Sequence, residues 1–338
     1  MNTFGRFYRC TTFGESHGKA LGVVIDGAPS GIPFREEDII PLLQRRRPGL
    51  SPLSTPRKEE DMPEILSGVF NGKTTGTPVA IIVRNTNQNS GDYEAIKDLC
   101  RPGHADYTYD ARYGHENRDW RGGGRSSGRE TVARVLGGSL AVKILAERGV
   151  AIRSRIVSIH GETAPEKFES EILAAKENGD SVGGVAEVTV SGLPAGIGNP
   201  VFGKLDALIA GAVMSVGAVK GVEIGDGFAA ADVFGSENND CMRSRSGTPS
   251  ASPYLSNHAG GILGGISNGN DIVIRFAVKP TPSISKVQAT VDAYGNNAEI
   301  SVKGRHDPCI VPRILVVAEC MIAMVILDSW MESSSQSF

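Results

Sequence analysis

A chain of 338 residues can hold one large domain or two ordinary ones, and 40% hydrophobic with 22% charged residues describes a globular protein with a sizeable core. A formal net charge of −3 argues against a general nucleic-acid binder, which would carry a basic excess. The five cysteines, Cys10, Cys100, Cys241, Cys309 and Cys320, are scattered without a Cys-x-x-Cys pair, which points to a reducing compartment and away from structural zinc.

The N-terminal MNTFGRFYRC lacks the apolar stretch of a secretory signal. Alternating apolar residues predict a strand at 20–26 (ALGVVID), and helical spacing predicts a helix near 35–46. A strand at 78–84 (PVAIIVR) follows, then a helix over 129–148. Val132, Val135, Leu136, Leu140, Ile144 and Leu145 fall on one apolar face of that helix, and Gly149 supplies its stop. Next come a strand at 151–159, a helix near 165–177, a strand at 184–191 (GVAEVTVS) and a helix near 201–216. Residues 236–256, SENNDCMRSRSGTPSASPYLS, read as a mobile surface loop or lid.

A strand at 271–279 (DIVIRFAVK) and a helix near 312–330 complete the series. The last helix overlaps an apolar run, Cys309 to Leu327, interrupted by Pro312, Arg313 and Glu319. Charge at mid-bilayer is costly, so a buried core helix is expected, with no membrane partner and a cytoplasmic protein. The strands do not alternate strictly with helices, so an α+β arrangement of mainly antiparallel sheets fits better than a doubly wound parallel sheet. No repeat or linker divides the chain, and one domain over residues 1–338 is expected.

The 42 glycines, about 12% against roughly 7% on average, gather at 13–18, 121–128, 219–227 and 257–269. The stretch RGGGRSSGRET, Arg121 to Thr131, precedes the 129–148 helix. Glycines allow close backbone approach, and helix-start amides, serine hydroxyls and guanidinium forks all suit an anion. No Gly-Lys-Ser/Thr follows at Walker spacing, and no strand–GxGxxG–helix unit occurs.

Three histidines, His17, His104 and His306, lie in glycine- or arginine-rich motifs, where an imidazole titrating near neutrality suits proton transfer. A zinc site is a weaker alternative, since no close His/Cys pairing supports it. Arginine outnumbers lysine 23 to 12 and clusters at 45–47, 101, 121, 125, 129 and 305. If these groups converge, they form a pocket for a small ligand with several negative charges.

FGESHGKALGVVIDGAPSG, GGGRSSGRETVARVLGGSL and GRHDPCIVPRILVVAECM resemble, in order, the three signature segments of chorismate synthase. RRRPG, RPGHADYTYDARYG, VKGVEIGDGF, NHAGGILGGISNG and KPTPSI are similar to further segments of that family, so the resemblance spans about residues 5–330. It implies a carbon–oxygen lyase of the shikimate pathway that converts 5-enolpyruvylshikimate 3-phosphate into chorismate and phosphate by an anti 1,4-elimination. The family requires reduced FMN without net redox change. Its fold is a β-α-β sandwich, helices between antiparallel sheets, usually assembled as a homotetramer. The absence of an extra nucleotide-binding segment points to an external flavin reductase, not to intrinsic reduction with NADPH.

By this resemblance His17 matches the histidine proposed to protonate the reduced flavin, His104 the one beside the substrate's leaving side, and Asp307 the aspartate assisting proton removal. Arg125, Ser126, Ser127, Gly217, Ala218, Gly264, Lys279, Pro280, Thr281, Pro282, Ser283 and Arg305 match FMN contacts. Arg46, Arg101 and Arg129 match substrate-binding arginines. No metal is implied. Two positions depart from the family pattern: Pro52 stands where many members have another arginine, and Gly217 where some carry asparagine. Two other readings remain open, a flavin-dependent oxidoreductase using the same cradle for net hydride transfer and a non-enzymatic module binding anions or RNA.

Overall fold

The computed structural model describes residues 1–47, 61–86, 91–244, 252–302 and 307–335. Strands β1 (Thr3–Phe4), β2 (Arg9–Phe13), β3 (Ala20–Asp26), β4 (Pro63–Ser67) and β5 (Val79–Arg84) form one sheet in the order β1-β2-β3-β5-β4. Every pairing in it is antiparallel, with Val23 of β3 opposite Ile81 of β5. Leu21, Val23, Ile25, Val79, Ile81 and Val83 are buried, the face that alternation assigns to the core.

A second antiparallel sheet contains β6 (Ala151–Ile159), β7 (Gly184–Ser191), β8 (Val219–Ile224) and β9 (Ile272–Val278), ordered β8-β9-β7-β6. Ile274 of β9 lies between Val188 of β7 and Ile224 of β8. Ala186, Val188 and Val190 alternate inward along β7, as do Ile272, Ile274 and Phe276 along β9.

Helices α1 (Glu36–Arg46), α2 (Asp106–Tyr113), α3 (Thr131–Glu147), α4 (Phe168–Glu177), α5 (Leu205–Met214) and α6 (Val311–Ser335) follow the predicted pattern closely, and α2 is the one the spacing missed. Between the sheets, α3 packs on β2, β3 and β5, while α6 packs on β6 and β7 and the two helices contact each other. The fold is thus an α+β sandwich with a helical layer between antiparallel sheets. Because α3 is central, it is buried beyond its expected apolar face, at Ala133, Gly137, Gly138, Ser139 and Ala141 as well. A β-carbon on Gly138 would lie 2.3 Å from Cβ and 2.7 Å from Cα of Cys320 on α6, and one on Gly137 would lie 3.0 Å from Sγ of Cys10 on β2. Two successive glycines therefore let α3 approach both the first sheet and its neighbouring helix α6.

Helix α6 is long and apolar enough to cross a membrane, yet 83% of its most apolar window is buried inside the fold. Its charges are satisfied there. Arg45 donates both Nη atoms to the Glu319 carboxylate at 2.7 Å, and Asp328 accepts the backbone N–H groups of Arg6, Phe7 and Tyr8. It is a core helix.

The 236–256 stretch begins inside a short helical turn, Gly235–Asn238, and Met242 bridges Tyr254 across its base. Residues 245–251, the middle of the expected lid, lie outside the described residues, as do Pro52, Arg305 and His306.

Candidate active site

The glycine-rich 121–126 turn lies against the segments that carry His17 and His104. Gly122, Gly123 and Gly124 have φ of 59°, 82° and 52°, the left-handed region that L side chains avoid. The expected helix therefore does not run through the glycines. It begins with a single turn, Gly128–Glu130, where the Ser127 side chain accepts from the Arg129 N–H, and continues as α3.

The glycines make room for two histidines. A β-carbon on Gly122 would fall 2.1 Å from Nδ1 and Cε1 of His17, and one on Gly123 would fall 3.2 Å from Cε1 of His104 and 3.3 Å from Nη2 of Arg101. His17 and His104 thus flank consecutive residues of one turn. His17 also sets its ring edge-on to Tyr93, with centroids 5.4 Å apart. Ser127 donates to Ser16 Oγ at 3.3 Å, and Ser126 donates to the Gly123 carbonyl at 2.7 Å.

Asp106 organises the His104 side. Arg101 reaches its two oxygens through Nε at 2.7 Å and Nη2 at 2.8 Å, Arg118 Nη1 lies 2.8 Å from Oδ1, and His104 Nδ1 lies 3.0 Å from Oδ1. Burial alone would raise the Asp106 pKa, but Arg101 and His104 hold it far below the carboxylate range. Burial pushes the His104 pKa below its ordinary 6.5, and Arg101 and Lys279 push the same way against the opposing pull of Asp106.

On the His17 side, Arg46 Nη2 donates to one oxygen of Asp61 at 2.7 Å and Arg129 Nη1 to the other at 2.6 Å. Relative exposures of 1%, 6% and 5% for Arg46, Arg129 and Asp61 place this triad in a low-dielectric setting, where charge pairing counts for more than in water. Burial opposes ionisation of Asp61, and the two arginines overcome it to lower its pKa. Arg313 donates to the Arg46 carbonyl at 2.8 Å and pairs with Asp307, bringing the latter to the same wall.

Lys279 closes the opposite side. Its N–H donates to the Ala218 carbonyl at 2.9 Å, and its amine bonds to the Gly103 carbonyl beside His104. Ser181 donates to the Thr281 carbonyl, and Val182 N–H to the Pro308 carbonyl next to Asp307. Lys279 to Ser283 therefore lie between the 101–104 turn and the start of α6.

A profile of the chorismate synthase family matches residues 8–331. The chain belongs to the chorismate synthase family. It is 52% identical to chorismate synthase of Methanosarcina barkeri, over 98% of this chain and 96% of that one. It is 53% identical to that of Syntrophobacter fumaroxidans, over 97% and 96%. A crystal structure of chorismate synthase matches it with a TM-score of 0.75 at 34% identity, over 97% of this chain and 93% of that chain. Enzymes of this family are lyases of the shikimate pathway.

Against that family pattern, the structure brings His17, His104, Asp307, Arg46, Arg101, Arg129, Ser126 and Ser127 into one contiguous set with Ala218 and Lys279 to Ser283. Arg125 lies behind the turn, donating to Thr12 Oγ1 at 2.8 Å and to the Gly14 carbonyl at 3.3 Å. Gly264 stands apart. Leu205 N–H donates to the Gly265 carbonyl, so Gly264 sits where α5 begins, while Gly217 and Ala218 follow its end. Ten residues of helix separate them by about 15 Å. A β-carbon on Gly217 would meet nothing within 4 Å, so the position does not require glycine for lack of space at Cβ.

Sequence reasoning missed Asp61, Asn85, Asp106 and Arg313. Asp106 could have been read from RPGHAD, where an aspartate two residues after a histidine suits an orienting role. Asp61 offers no such signal, because it ends the charged run RKEED that reads as a solvated surface.

Proposed function

We propose that this chain converts 5-enolpyruvylshikimate 3-phosphate into chorismate and phosphate by an anti 1,4-elimination that requires reduced FMN without net redox change. The observation that carries the reading is the placement of His17 and His104 against successive glycines, beside the buried Arg46, Arg101 and Arg129.

The residues present fit a phosphorylated cofactor. Burial, and then Lys220, depress the pKa of the Lys279 amine, and among the described residues it pairs with no carboxylate, so a bound anion would stabilise its charged form. Among the described residues the buried Thr281 Oγ1 has no hydrogen-bond partner, which suits a phosphate or ring acceptor. Lys279 to Ser283, Gly217, Ala218, Ser126 and Ser127 would hold FMN, with Arg125 behind them. Bound and reduced, it would supply electron density toward the departing phosphate and help to take the proton.

The chain's own groups account for the rest. Arg46, Arg101 and Arg129 meet the substrate's phosphate and two carboxylates, which a dry site must neutralise. In the elimination the C6–H and C3–O bonds break, a second ring double bond forms, and phosphate leaves with the C–O electron pair. In this reading His104, kept neutral by burial, exchanges a proton at the leaving side, and His17 maintains protonation at the cofactor. Asp307, held by Arg313, assists removal of the C6 proton.

The same reading makes the chain one catalytic domain in the cytoplasm, served by an external flavin reductase and assembled as a homotetramer. The exposed Phe202, Phe228 and Phe234 supply apolar surface that self-association would cover. Anaerobic incubation with substrate and chemically reduced FMN should yield chorismate absorbance and free phosphate in equal amounts. Failure to release phosphate under those conditions would exclude the reaction.

A further inference from the structure

Arg129 is held on two edges by two residues that the family motifs do not point to. Its Nη1 donates to Asp61 Oδ1 at 2.6 Å, while Nε and Nη2 both donate to Asn85 Oδ1, at 3.2 and 3.1 Å. Asn85 lies just beyond β5 and is half-buried. Its amide nitrogen faces the other way, donating to the Gly18 carbonyl at 2.8 Å and to the Glu15 carbonyl at 3.2 Å. Its backbone N–H donates to the Lys19 carbonyl at 3.1 Å. One side chain therefore spans an arginine and both ends of the turn that carries His17.

Each half of the amide has a different duty. The oxygen can accept but not donate, so it suits a guanidinium edge. The NH2 group can only donate, so it suits two carbonyls that no β-ladder satisfies. A reversed amide would set donors against donors at Arg129 and acceptors against acceptors at the turn. The geometry fixes its orientation.

We propose that Asn85 is a positioning residue that couples the substrate arginine Arg129 to the His17 turn, so that anion binding and proton handling share one rigid frame. The proposal rests on the reading of Arg129 as a substrate group and His17 as a proton-handling group. Catalytic groups tolerate little displacement, and a misplacement of about 1 Å can cost on the order of 100-fold in rate. Asn85 touches neither substrate nor cofactor in this account. It acts through the two groups it joins, in the way that supporting hydrogen bonds hold a functional side chain in place.

The test combines equilibrium binding of 5-enolpyruvylshikimate 3-phosphate to the flavin-free protein, steady-state turnover with reduced FMN, and a double-mutant cycle. Asn85→Ala should weaken substrate binding about tenfold and lower turnover about tenfold or more. In the background of Arg129→Lys its effect on binding should largely vanish, because contacting residues do not act additively. Asn85→Asp is isosteric, keeps an acceptor for Arg129 and removes both donors to the turn. It should hold binding within about threefold of wild type while turnover still falls about tenfold. If Asn85→Ala does not fold, this split in Asn85→Asp decides the matter alone.

Wild-type binding and turnover in either folded variant would overturn the proposal. So would losses in the Asn85→Ala, Arg129→Lys pair that simply multiply, since a merely structural role predicts that outcome. Failure of the underlying reading is separable, because it would appear as unaltered substrate binding in Arg129→Ala.

Discussion

The imidazole of His104 lies between a buried carboxylate and two cations, and its charge state follows from that contest. Burial favours the neutral ring, Arg101 and Lys279 reinforce burial, and Asp106 opposes them without prevailing. A histidine with a folded pKa below its unfolded value binds fewer protons folded than unfolded. Its contribution to stability is intact above about pH 6.5 and diminishes as pH falls through the window between 6.5 and the depressed folded value. Urea melts of wild type and His104→Gln at pH 7.5 and pH 5 check this. The wild type should lose stability relative to His104→Gln on acidification, and a wild-type advantage that grows at pH 5 would mean that Asp106 wins.

At the scale of elements, glycine does two distinct jobs in neighbouring segments. In the 121–126 turn it provides left-handed backbone and leaves space for His17, whereas in α3 it lets two helices meet. The same substitution should therefore give two different phenotypes. Gly122→Ala forces a β-carbon onto the His17 ring and should reduce turnover about 10- to 100-fold while the protein still folds. Gly138→Ala meets Cys320 backbone that cannot swing aside, and should destabilise the fold by about 1–3 kcal/mol, read from denaturant midpoints. Normal stability in Gly138→Ala would show that α3 and α6 can separate freely.

The α+β class was legible at this scale because alternation in β3, β5, β6, β7 and β9 and helical spacing in α1, α3 and α6 are local patterns, whereas the sandwich came only from the family resemblance. What they could not show was burial of α3 on several sides, since Gly137 and Gly138 carry no hydrophobic signal. The short strands β1, β2, β4 and β8 are too brief or too mixed in composition to stand out. The candidate site residues that the fold brings together were those marked in the sequence by glycine and arginine. Asp61 and Asn85 were not so marked, because their roles arise only when β5, α1 and the turn before α3 are brought together.

For the molecule as a whole, the acidic net charge conceals a local excess of arginine. Arg46, Arg101, Arg118, Arg129 and Arg313 converge on a few buried carboxylates, leaving a dry wall suited to a small polyanion and not to a nucleic-acid backbone. On the proposed function, this wall supports an elimination in which reducing equivalents are required but not consumed. The direct measurement is the ratio of chorismate formed to reductant used, under anaerobic conditions with 5-enolpyruvylshikimate 3-phosphate in excess over a fixed, once-reduced pool of FMN. Many molecules of chorismate per reduced flavin, with phosphate released in equal number, is the predicted result. One product molecule per flavin oxidised would rule out the elimination and identify an oxidoreductase instead.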